Sequence, residues 1–119
     1  MELYIVRHGE TLWNREKRLQ GREDIELSEN GRKVARLTGE ALMDTRIDKI
    51  FSSPLKRAYE TACLIRNGRD IDIETDDRLR ELSFGHFEGQ NFSELIKGRN
   101  AYIPLLLQAA RIVCTCRRC

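Results

Sequence analysis

The sequence predicts an α/β fold built on a parallel sheet. Three short apolar segments, at 3–6, 47–51 and 71–74, have the composition of strands, and two longer segments with helical spacing separate them. The resulting order, β-α-β-α-β, is typical of parallel sheets with right-handed crossovers. Ligands in such sheets bind beyond the carboxyl ends of the strands. We therefore expect the functional residues to lie where these strands end.

The first strand is predicted from a continuous apolar run. Its residues are rich in strand-forming side chains: Leu3, Tyr4, Ile5 and Val6. A run without polar alternation is typical of a strand that is buried on both faces of a parallel sheet. Arg7 and His8 follow directly, so we expect both at the end of this strand.

The first long helix is predicted to run from a cap at Ser28 to about Met43. Ser28 is a favoured capping residue, and the helix has an apolar stripe at helical spacing. The stripe consists of Val34, Leu37, Ala41 and Leu42. The second strand then follows at 47–51.

The second long helix is predicted to begin at Pro54, since proline is favoured at the first helical position and Ser53 would avoid helical angles. Gly68 is placed to end it. Its apolar stripe consists of Leu55, Ala58, Tyr59, Ala62 and Ile65.

The remaining elements are shorter. Residues 71–74 alternate between apolar and acidic side chains, which predicts a half-exposed edge strand. Residues 78–90 lack a period and contain two glycines, which indicates a shaped loop. Asn91 and Glu94 could cap a short helix after it. Residues 104–113 have one apolar face and could form a terminal helix.

Length and charge exclude several classes of function. With 119 residues the chain is long enough for one domain, and its net charge of +2 provides no broad basic field for nucleic acid. Only four apolar residues precede Arg7, too few for a signal peptide, and no run approaches the length of a membrane span. We expect a cytoplasmic protein that binds neither nucleic acid nor membrane.

The four cysteines do not predict a metal site. Cys63 falls in a helical pattern and is expected to be a buried thiol. Cys114, Cys116 and Cys119 crowd the last residues, but they lack a fourth ligand and the paired spacing of zinc sites. We therefore expect neither a metal nor a cofactor.

Residues suited to phosphoryl chemistry lie at the predicted strand and turn ends. A neutral imidazole at His8 can attack phosphorus, and the guanidinium groups of Arg7 and Arg57 would neutralise phosphoryl oxygens through forked hydrogen bonds. Arg57 falls in the first turn of its helix, where free amides and the helix dipole also favour an anion. Glu81, in the late loop, could protonate the departing oxygen.

Three further positions bear on this predicted phosphate site. Asn14 would add a neutral hydrogen-bond donor, and Gly21 would allow a close approach of the backbone to the ligand. Trp13 is expected to pack against its neighbours, because no aromatic series accompanies it as in a base-stacking surface.

Several segments, in this order, resemble the histidine phosphatase superfamily, also called phosphoglycerate mutase-like. They are Leu3-Tyr4-Ile5-Val6-Arg7-His8-Gly9-Glu10-Thr11, Trp13-Asn14, Leu27-Ser28-Glu29-Asn30-Gly31, Ser52-Ser53-Pro54-Leu55-Lys56-Arg57-Ala58 and Leu79-Arg80-Glu81. The resemblance implies a three-layer parallel-sheet fold and a phosphohistidine intermediate formed without metal. It implies that His8 is the nucleophile and Glu81 the proton donor. It also implies that Arg7, Arg57, Asn14 and Gly21 form the phosphate pocket.

The segment at 82–89 is more similar to the phosphatase branch than to the glycolytic mutases. We therefore expect a phosphomonoester hydrolase acting on a small phosphorylated metabolite. Two alternatives stay open: phosphotransfer of the mutase type, and a non-catalytic remnant that binds phosphorylated ligands. The sequence has no signal for the oligomeric state.

The chain departs from the family pattern towards its end. The family places a second histidine after a later central strand, whereas this sequence contains only His8 and His86, and His86 lies in the glycine-flanked loop. No acidic residue follows Glu94. We interpret residues 1–98 as the N-terminal part of a phosphatase domain and 99–119 as an atypical tail. The hypothesis is a truncated or frame-altered phosphatase whose first strand lacks a neighbour.

Overall fold

The structure, a computed structural model, describes residues 1–97 and the backbone of residues 113–117. This part of the chain contains a sheet in the order β1-β4-β2-β3. Its strands are β1 (Glu2–Val6), β2 (Lys49–Ser52), β3 (Ile73–Thr75) and β4 (Val113–Arg117). The predicted parallel pairing of the second and third strands is confirmed, with Ile50 opposite Ile73. The sheet as a whole is mixed, because β4 runs antiparallel to both of its neighbours.

The helices follow the predicted order, with one addition. They are α1 (Leu12–Arg15), α2 (Glu29–Ala41), α3 (Lys56–Arg66) and α4 (Phe92–Lys97). The short helix α1 is the addition; the sequence pattern did not predict it. Within the described residues, no helix is long and apolar enough to cross a membrane.

The expectation that the first strand lacks a neighbour is wrong. The backbone of β4 pairs with β1, with Val113 opposite Val6, and on its other side it pairs with β2. A strand has free N–H and C=O groups along both edges, and here a late segment satisfies one edge of β1. Of the predicted terminal helix, residues 104–112 lie outside the described residues, whereas Val113 begins a strand.

Strand β1 is not buried on both faces, contrary to our prediction. Leu3 and Ile5 are 51% and 58% exposed, and Tyr4 and Val6 are half-buried. An open apolar groove of about 470 Å³ lies between β1 and α2, and Ile5 lines it. A continuous apolar run therefore does not show by itself how much of a strand is covered.

Helix α2 buries a different face from the predicted one. Ser28 caps it as expected, since its Oγ accepts the amide proton of Gly31 at 3.0 Å. The buried face consists of small residues: Gly31, Ala35 and Gly39. A Cβ added at Gly39 would lie 2.6 Å from the carbonyl oxygen of Leu64 in α3.

Because small residues let the two helix backbones approach closely, α2 packs on this face. Its larger apolar residues are turned away from α3. Val34 and Leu37, from the predicted stripe, are 50% and 52% exposed and line the groove beside β1.

Helix α3 begins two residues later than predicted. Its first residue is Lys56, and the extended capping residue is Leu55, with no side-chain cap of its own. Instead, Asp24 Oδ1 accepts the amide proton of Lys56 at 2.7 Å. The cap is therefore a tertiary contact, which the local Ser53-Pro54 pattern could not indicate. The helix ends at Arg66 and is capped by Asn67 in the left-handed conformation, one residue before the predicted Gly68.

The core lies between β2 and α3. Ile50 and Ala62 are fully buried and pack with Ile47, Ala58 and Ile71. Cys63 is half-buried and has a free thiol, so it is less buried than expected. Together with the parallel strand pair, this core positions the end of β2 and the first turn of α3.

The segment after β3 is irregular, as predicted. It contains two short 3-10 turns, Asp77–Leu79 and Gly85–Phe87. Asn91 then supports α4, because its Oδ1 accepts the amide proton of Ser93 at 2.9 Å.

Candidate active site

Arg7 and His8 follow β1 directly and line a pocket of about 360 Å³. Gly9, Glu10 and Asn14 complete the lining that the structure describes. The turn at Thr11 and the short helix α1 fold the chain back, which brings Asn14 to the end of the strand. Three predicted site residues, Arg7, His8 and Asn14, therefore lie around one pocket.

The imidazole of His8 is oriented by its neighbour. Its Nδ1 lies 2.7 Å from the carbonyl oxygen of Gly9. A carbonyl oxygen can only accept a hydrogen bond, so Nδ1 carries the proton in this contact. In the neutral ring, the lone pair therefore lies on Nε2. This nitrogen is the one suited to nucleophilic attack.

The side chain of Asn14 is held by the cap of α1. Its Oδ1 accepts the amide proton of Thr11 at 3.0 Å, and the backbone N–H of Asn14 donates to the Thr11 hydroxyl at 3.1 Å. Thr11 is completely buried, so this turn is well anchored. Because the cap uses the amide oxygen, the NH₂ group of Asn14 is the part suited to a ligand. This arrangement is compatible with the neutral donor predicted from the sequence.

Arg57 lies in the first turn of α3 and is 2% exposed. Nη1 donates to the carbonyl oxygen of Glu23 and Nη2 to that of Gly21, both at 2.7 Å. These two backbone partners are neutral, so neither of them carries a charge that would offset that of the guanidinium. The contacts fix the orientation of the guanidinium plane before any anion binds.

Gly21 acts on Arg57 through its carbonyl group. Its φ is +53°, and a Cβ added there would lie 2.2 Å from Glu88 Oε1. Glu88 Oε1 also accepts the amide protons of Arg22 and Phe84. Gly21 thus allows a tight turn against Glu88 and directs its own oxygen at the guanidinium. The atoms that the structure shows close to Gly21 belong to Glu88 and Phe84, whereas the predicted close approach was to a ligand.

Glu81 lies in the loop after the first 3-10 turn and is half-buried. Its Oε1 accepts the amide proton of Leu82 at 3.1 Å, and its backbone oxygen accepts Arg22 Nε at 3.1 Å. Among the described residues that line the pocket of His8, Glu81 does not appear. The Arg22 contact nevertheless ties its loop to the segment that holds Arg57.

Sequence reasoning missed the contribution of Thr61. Its hydroxyl accepts the amide proton of Gly9 at 2.9 Å and donates to the carbonyl oxygen of Arg57 at 2.7 Å. The sequence did contain a sign of this role, because Thr61 is a polar residue beside the apolar stripe of α3, four positions after Arg57. It joins the loop of His8 to the helix of Arg57.

The contacts of Glu10 with the start of α2 were also not predicted from the sequence. Its Oε1 accepts the Ser28 hydroxyl proton at 2.8 Å, and its backbone oxygen accepts the Ser28 amide proton at 2.8 Å. A Cβ added at Gly31 would lie 2.1 Å from that same backbone oxygen. The N-terminus of α2 therefore fixes the far side of the histidine loop.

Trp13 and His86 make contacts with other side chains of the protein. The guanidinium of Arg18 lies 4.1 Å from the ring centre of Trp13, and its Nε donates to the carbonyl oxygen of Gly89 at 2.6 Å. Trp13 therefore packs as predicted. His86 is exposed on its 3-10 turn, with its ring centre 4.0 Å from that of Phe87. Among the described residues, no group of three His, Cys, Asp or Glu side chains could hold a metal ion.

Comparison with known proteins identifies the fold and the family. The family model of the histidine phosphatase superfamily (branch 1) matches residues 3–110. A phosphoglycerate mutase-like protein 4 from Arabidopsis thaliana is 42% identical over 101 residues, which cover 82% of this chain and 44% of the relative.

Two solved structures have the same fold. A mycobacterial glucosyl-3-phosphoglycerate phosphatase in complex with VO3 gives a TM-score of 0.76 at 34% identity, covering 86% of this chain and 51% of that one. A phosphoserine phosphatase from Entamoeba histolytica, in complex with 3-phosphoglyceric acid, gives 0.73 at 35% identity, covering 92% and 53%. The predicted α/β fold is confirmed. The chain spans about half the length of these proteins.

Proposed function

Because the chain belongs to the histidine phosphatase superfamily (branch 1), we propose that it is a phosphomonoester hydrolase that forms a phosphohistidine on His8. The observation that carries this proposal is the 2.7 Å contact between His8 Nδ1 and the carbonyl oxygen of Gly9. It leaves the lone pair on Nε2, inside a pocket that Arg7 and Asn14 also line. A neutral, oriented imidazole beside a guanidinium is what attack on a phosphate ester requires.

In the first step, His8 Nε2 attacks phosphorus and the bond from phosphorus to the ester oxygen breaks. The departing oxygen takes the electron pair of that bond and receives a proton from Glu81. Arg7, Arg57 and the NH₂ group of Asn14 neutralise the charge that grows on the phosphoryl oxygens. The two backbone contacts of Arg57 support its role, because they hold the guanidinium plane in one orientation.

In the second step, water attacks the phosphorus of the phosphohistidine. The bond from phosphorus to Nε2 breaks, the imidazole recovers its lone pair, and the Glu81 carboxylate takes the proton from water. Glu81 then carries the proton needed for the next cycle. A general acid and base of this kind typically contributes about 10²- to 10⁴-fold in rate.

The substrate class we propose is a small phosphorylated metabolite. The solved relative from Entamoeba histolytica binds 3-phosphoglyceric acid, and a second structure of a variant of that enzyme holds phosphoserine. A pocket of about 360 Å³ has room for a molecule of this size. Transfer to a second hydroxyl group is the alternative favoured by the mutase-like relative.

The test is incorporation of labelled phosphate from a generic phosphomonoester into the purified chain. We expect acid-labile label in the wild type and in His86→Ala, and none in His8→Ala. His86 is the matched control, because it is the only other histidine of the sequence and lies exposed on a turn. Equal labelling of the wild type and His8→Ala would remove His8 as the nucleophile.

A second candidate is a protein that binds phosphate esters without turnover. It is favoured by the absence of Glu81, the proposed proton donor, from the described residues that line the pocket of His8. Calorimetry with inorganic phosphate separates the two. Binding that Arg57→Ala abolishes, together with no release of phosphate from a phosphomonoester, would establish the binder; measurable release would exclude it.

A further inference from the structure

Thr61 is a buried hydroxyl without a role in the proposed reaction, placed between two elements that have one. It lies on α3, four residues after Arg57, and is 2% exposed. Its Oγ1 donates to the carbonyl oxygen of Arg57 at 2.7 Å and accepts the amide proton of Gly9 at 2.9 Å. A hydroxyl has one proton and two lone pairs, so these two contacts are mutually compatible.

Both polar groups of Gly9 are engaged. Its N–H donates to Thr61, and its carbonyl oxygen lies 2.7 Å from His8 Nδ1. The position of the Gly9 backbone therefore determines where the imidazole points. Because this carbonyl holds the imidazole proton on Nδ1, a shift of Gly9 would also change which ring nitrogen carries the proton.

The opposite side of the histidine loop is already fixed by α2. A Cβ added at Gly9 would lie 2.8 Å from the carbonyl oxygen of Gly31, so the loop has little room on that side. On the α3 side, the contact that the structure describes for the Gly9 amide is its hydrogen bond to the Thr61 hydroxyl. Without it, this backbone N–H would lose its partner and the loop could rotate.

We propose that Thr61 is a positioning residue for the nucleophile. Its hydroxyl sets the orientation and tautomer of His8 through Gly9, and it couples the histidine loop to the helix turn that carries Arg57. This inference rests on the proposed function for its effect on rate, but its effect on the imidazole is independent of catalysis. Thr61 itself touches neither the substrate nor the transferred phosphoryl group in this mechanism.

The test uses the pair Thr61→Ala and Thr61→Ser. Both variants lose the same methyl group, and they differ only in the hydroxyl. In the His86→Gln background, His8 is the only histidine, so nitrogen chemical shifts of a ¹⁵N-histidine-labelled chain report its tautomer directly. We expect the Nδ1–H form to dominate in the parent and in Thr61→Ser, and a mixture of the two forms in Thr61→Ala.

The kinetic readout is hydrolysis of a generic phosphomonoester. Displacements near 1 Å can cost about 10²-fold in rate, so we expect Thr61→Ala to lower kcat by about 10- to 100-fold with KM little changed. Thr61→Ser should remain close to the wild type. If Thr61→Ala does not fold, Thr61→Val, which keeps the branched shape without the hydroxyl, takes its place in both measurements.

The inference would be wrong if Thr61→Ala, or Thr61→Val in its place, folded and kept the same tautomer of His8 as the parent. It would also be wrong if Thr61→Ser did not keep the Nδ1–H form. A chain without any turnover would contradict the proposed function alone. The tautomer measurement would still decide whether Thr61 positions His8.

Discussion

Arg57 and Gly21 are joined by a hydrogen bond of 2.7 Å from Nη2 to the backbone carbonyl oxygen, although 36 positions separate them in the sequence. The bond requires the tight turn at Gly21, where φ is +53°. The orientation of a buried cation thus depends on a backbone conformation that few residues other than glycine adopt.

Replacing Gly21 should therefore destabilise the fold and weaken phosphate binding together. In Gly21→Ala, the left-handed conformation costs about 1–2 kcal/mol. The new Cβ would also lie 2.8 Å from Phe84 Cδ2 and closer still to Glu88 Oε1, so these side chains must shift. We expect a total loss of about 2–5 kcal/mol in the free energy of unfolding, measured by urea denaturation, since overpacking adds about 1–3 kcal/mol.

Gly68→Ala is the matched control. Gly68 has a φ of +74°, but nothing lies within 4 Å of an added Cβ. It should lose only the conformational contribution, about 1–2 kcal/mol, and keep phosphate affinity. Equal losses in the two variants would show that the Glu88 contact does not constrain the turn.

Lysine should not be able to replace Arg57 in its two hydrogen bonds to backbone carbonyl oxygens. Lys retains the positive charge but cannot donate to two divergent carbonyl oxygens through a planar group. Since hydrogen bonds of charged groups contribute about 1.5–3 kcal/mol each, we expect Arg57→Lys to lower the free energy of unfolding by about that amount. Calorimetry with inorganic phosphate should show weakened binding as well.

Arg36→Lys provides the comparison for this variant. The Arg36 side chain is 53% exposed and lies 3.8 Å from Glu29. Surface ion pairs of this kind contribute little, so the change should stay within about 0.5 kcal/mol. A similarly small effect at Arg57 would mean that its two carbonyl contacts do not stabilise the fold.

Ser28 should stabilise both α2 and the histidine loop. Ser28→Ala removes the cap at the Gly31 amide and the contact with Glu10 Oε1. Loss of a helix cap typically costs about 1 kcal/mol, which thermal denaturation can detect. Ser93→Ala is the control: Ser93 is exposed, and the contact of its backbone N–H with Asn91 is retained by alanine. If both variants had the same melting temperature, the Ser28 cap would make no net contribution to the stability of the fold.

The carboxyl group of Asp76 should titrate far below its ordinary range. Hydrogen bonds from the side chain and the backbone of Arg78 lower the pKa of Asp76 from 3.8 to about 2. Because the folded pKa is the lower one, the ionised form favours folding above pH 3.8, and this contribution disappears as the pH falls towards 2. Carbon NMR of the Asp76 carboxyl should show a midpoint near 2.

Arg78→Ala should return that midpoint towards 3.8. Arg80→Ala is the control, since the Arg80 guanidinium pairs with Asp77 at 2.9 Å. A midpoint that stayed near 2 in Arg78→Ala would mean that the Arg78 side chain does not depress the pKa of Asp76.

Local patterns in the sequence determined the elements and their order. The apolar run before Arg7 predicted the strand that delivers His8, because a run of strand-forming side chains can be recognised in the sequence itself. Ser28 predicted the start of α2 for the same reason: a cap bonds amides only two or three residues away. The ordered motifs around His8 and Arg57 also identified the family.

Tertiary structure decided which faces are buried and what orients the site. The apolar stripe of α2 lies in an open groove because the small residues of the opposite face permit closer contact with α3. Helix α3 starts late because Asp24, far away in sequence, caps it. Thr61 reaches Gly9 only once α3 packs against the end of β1. Such contacts join residues that are distant in the sequence, so no local spacing could indicate them.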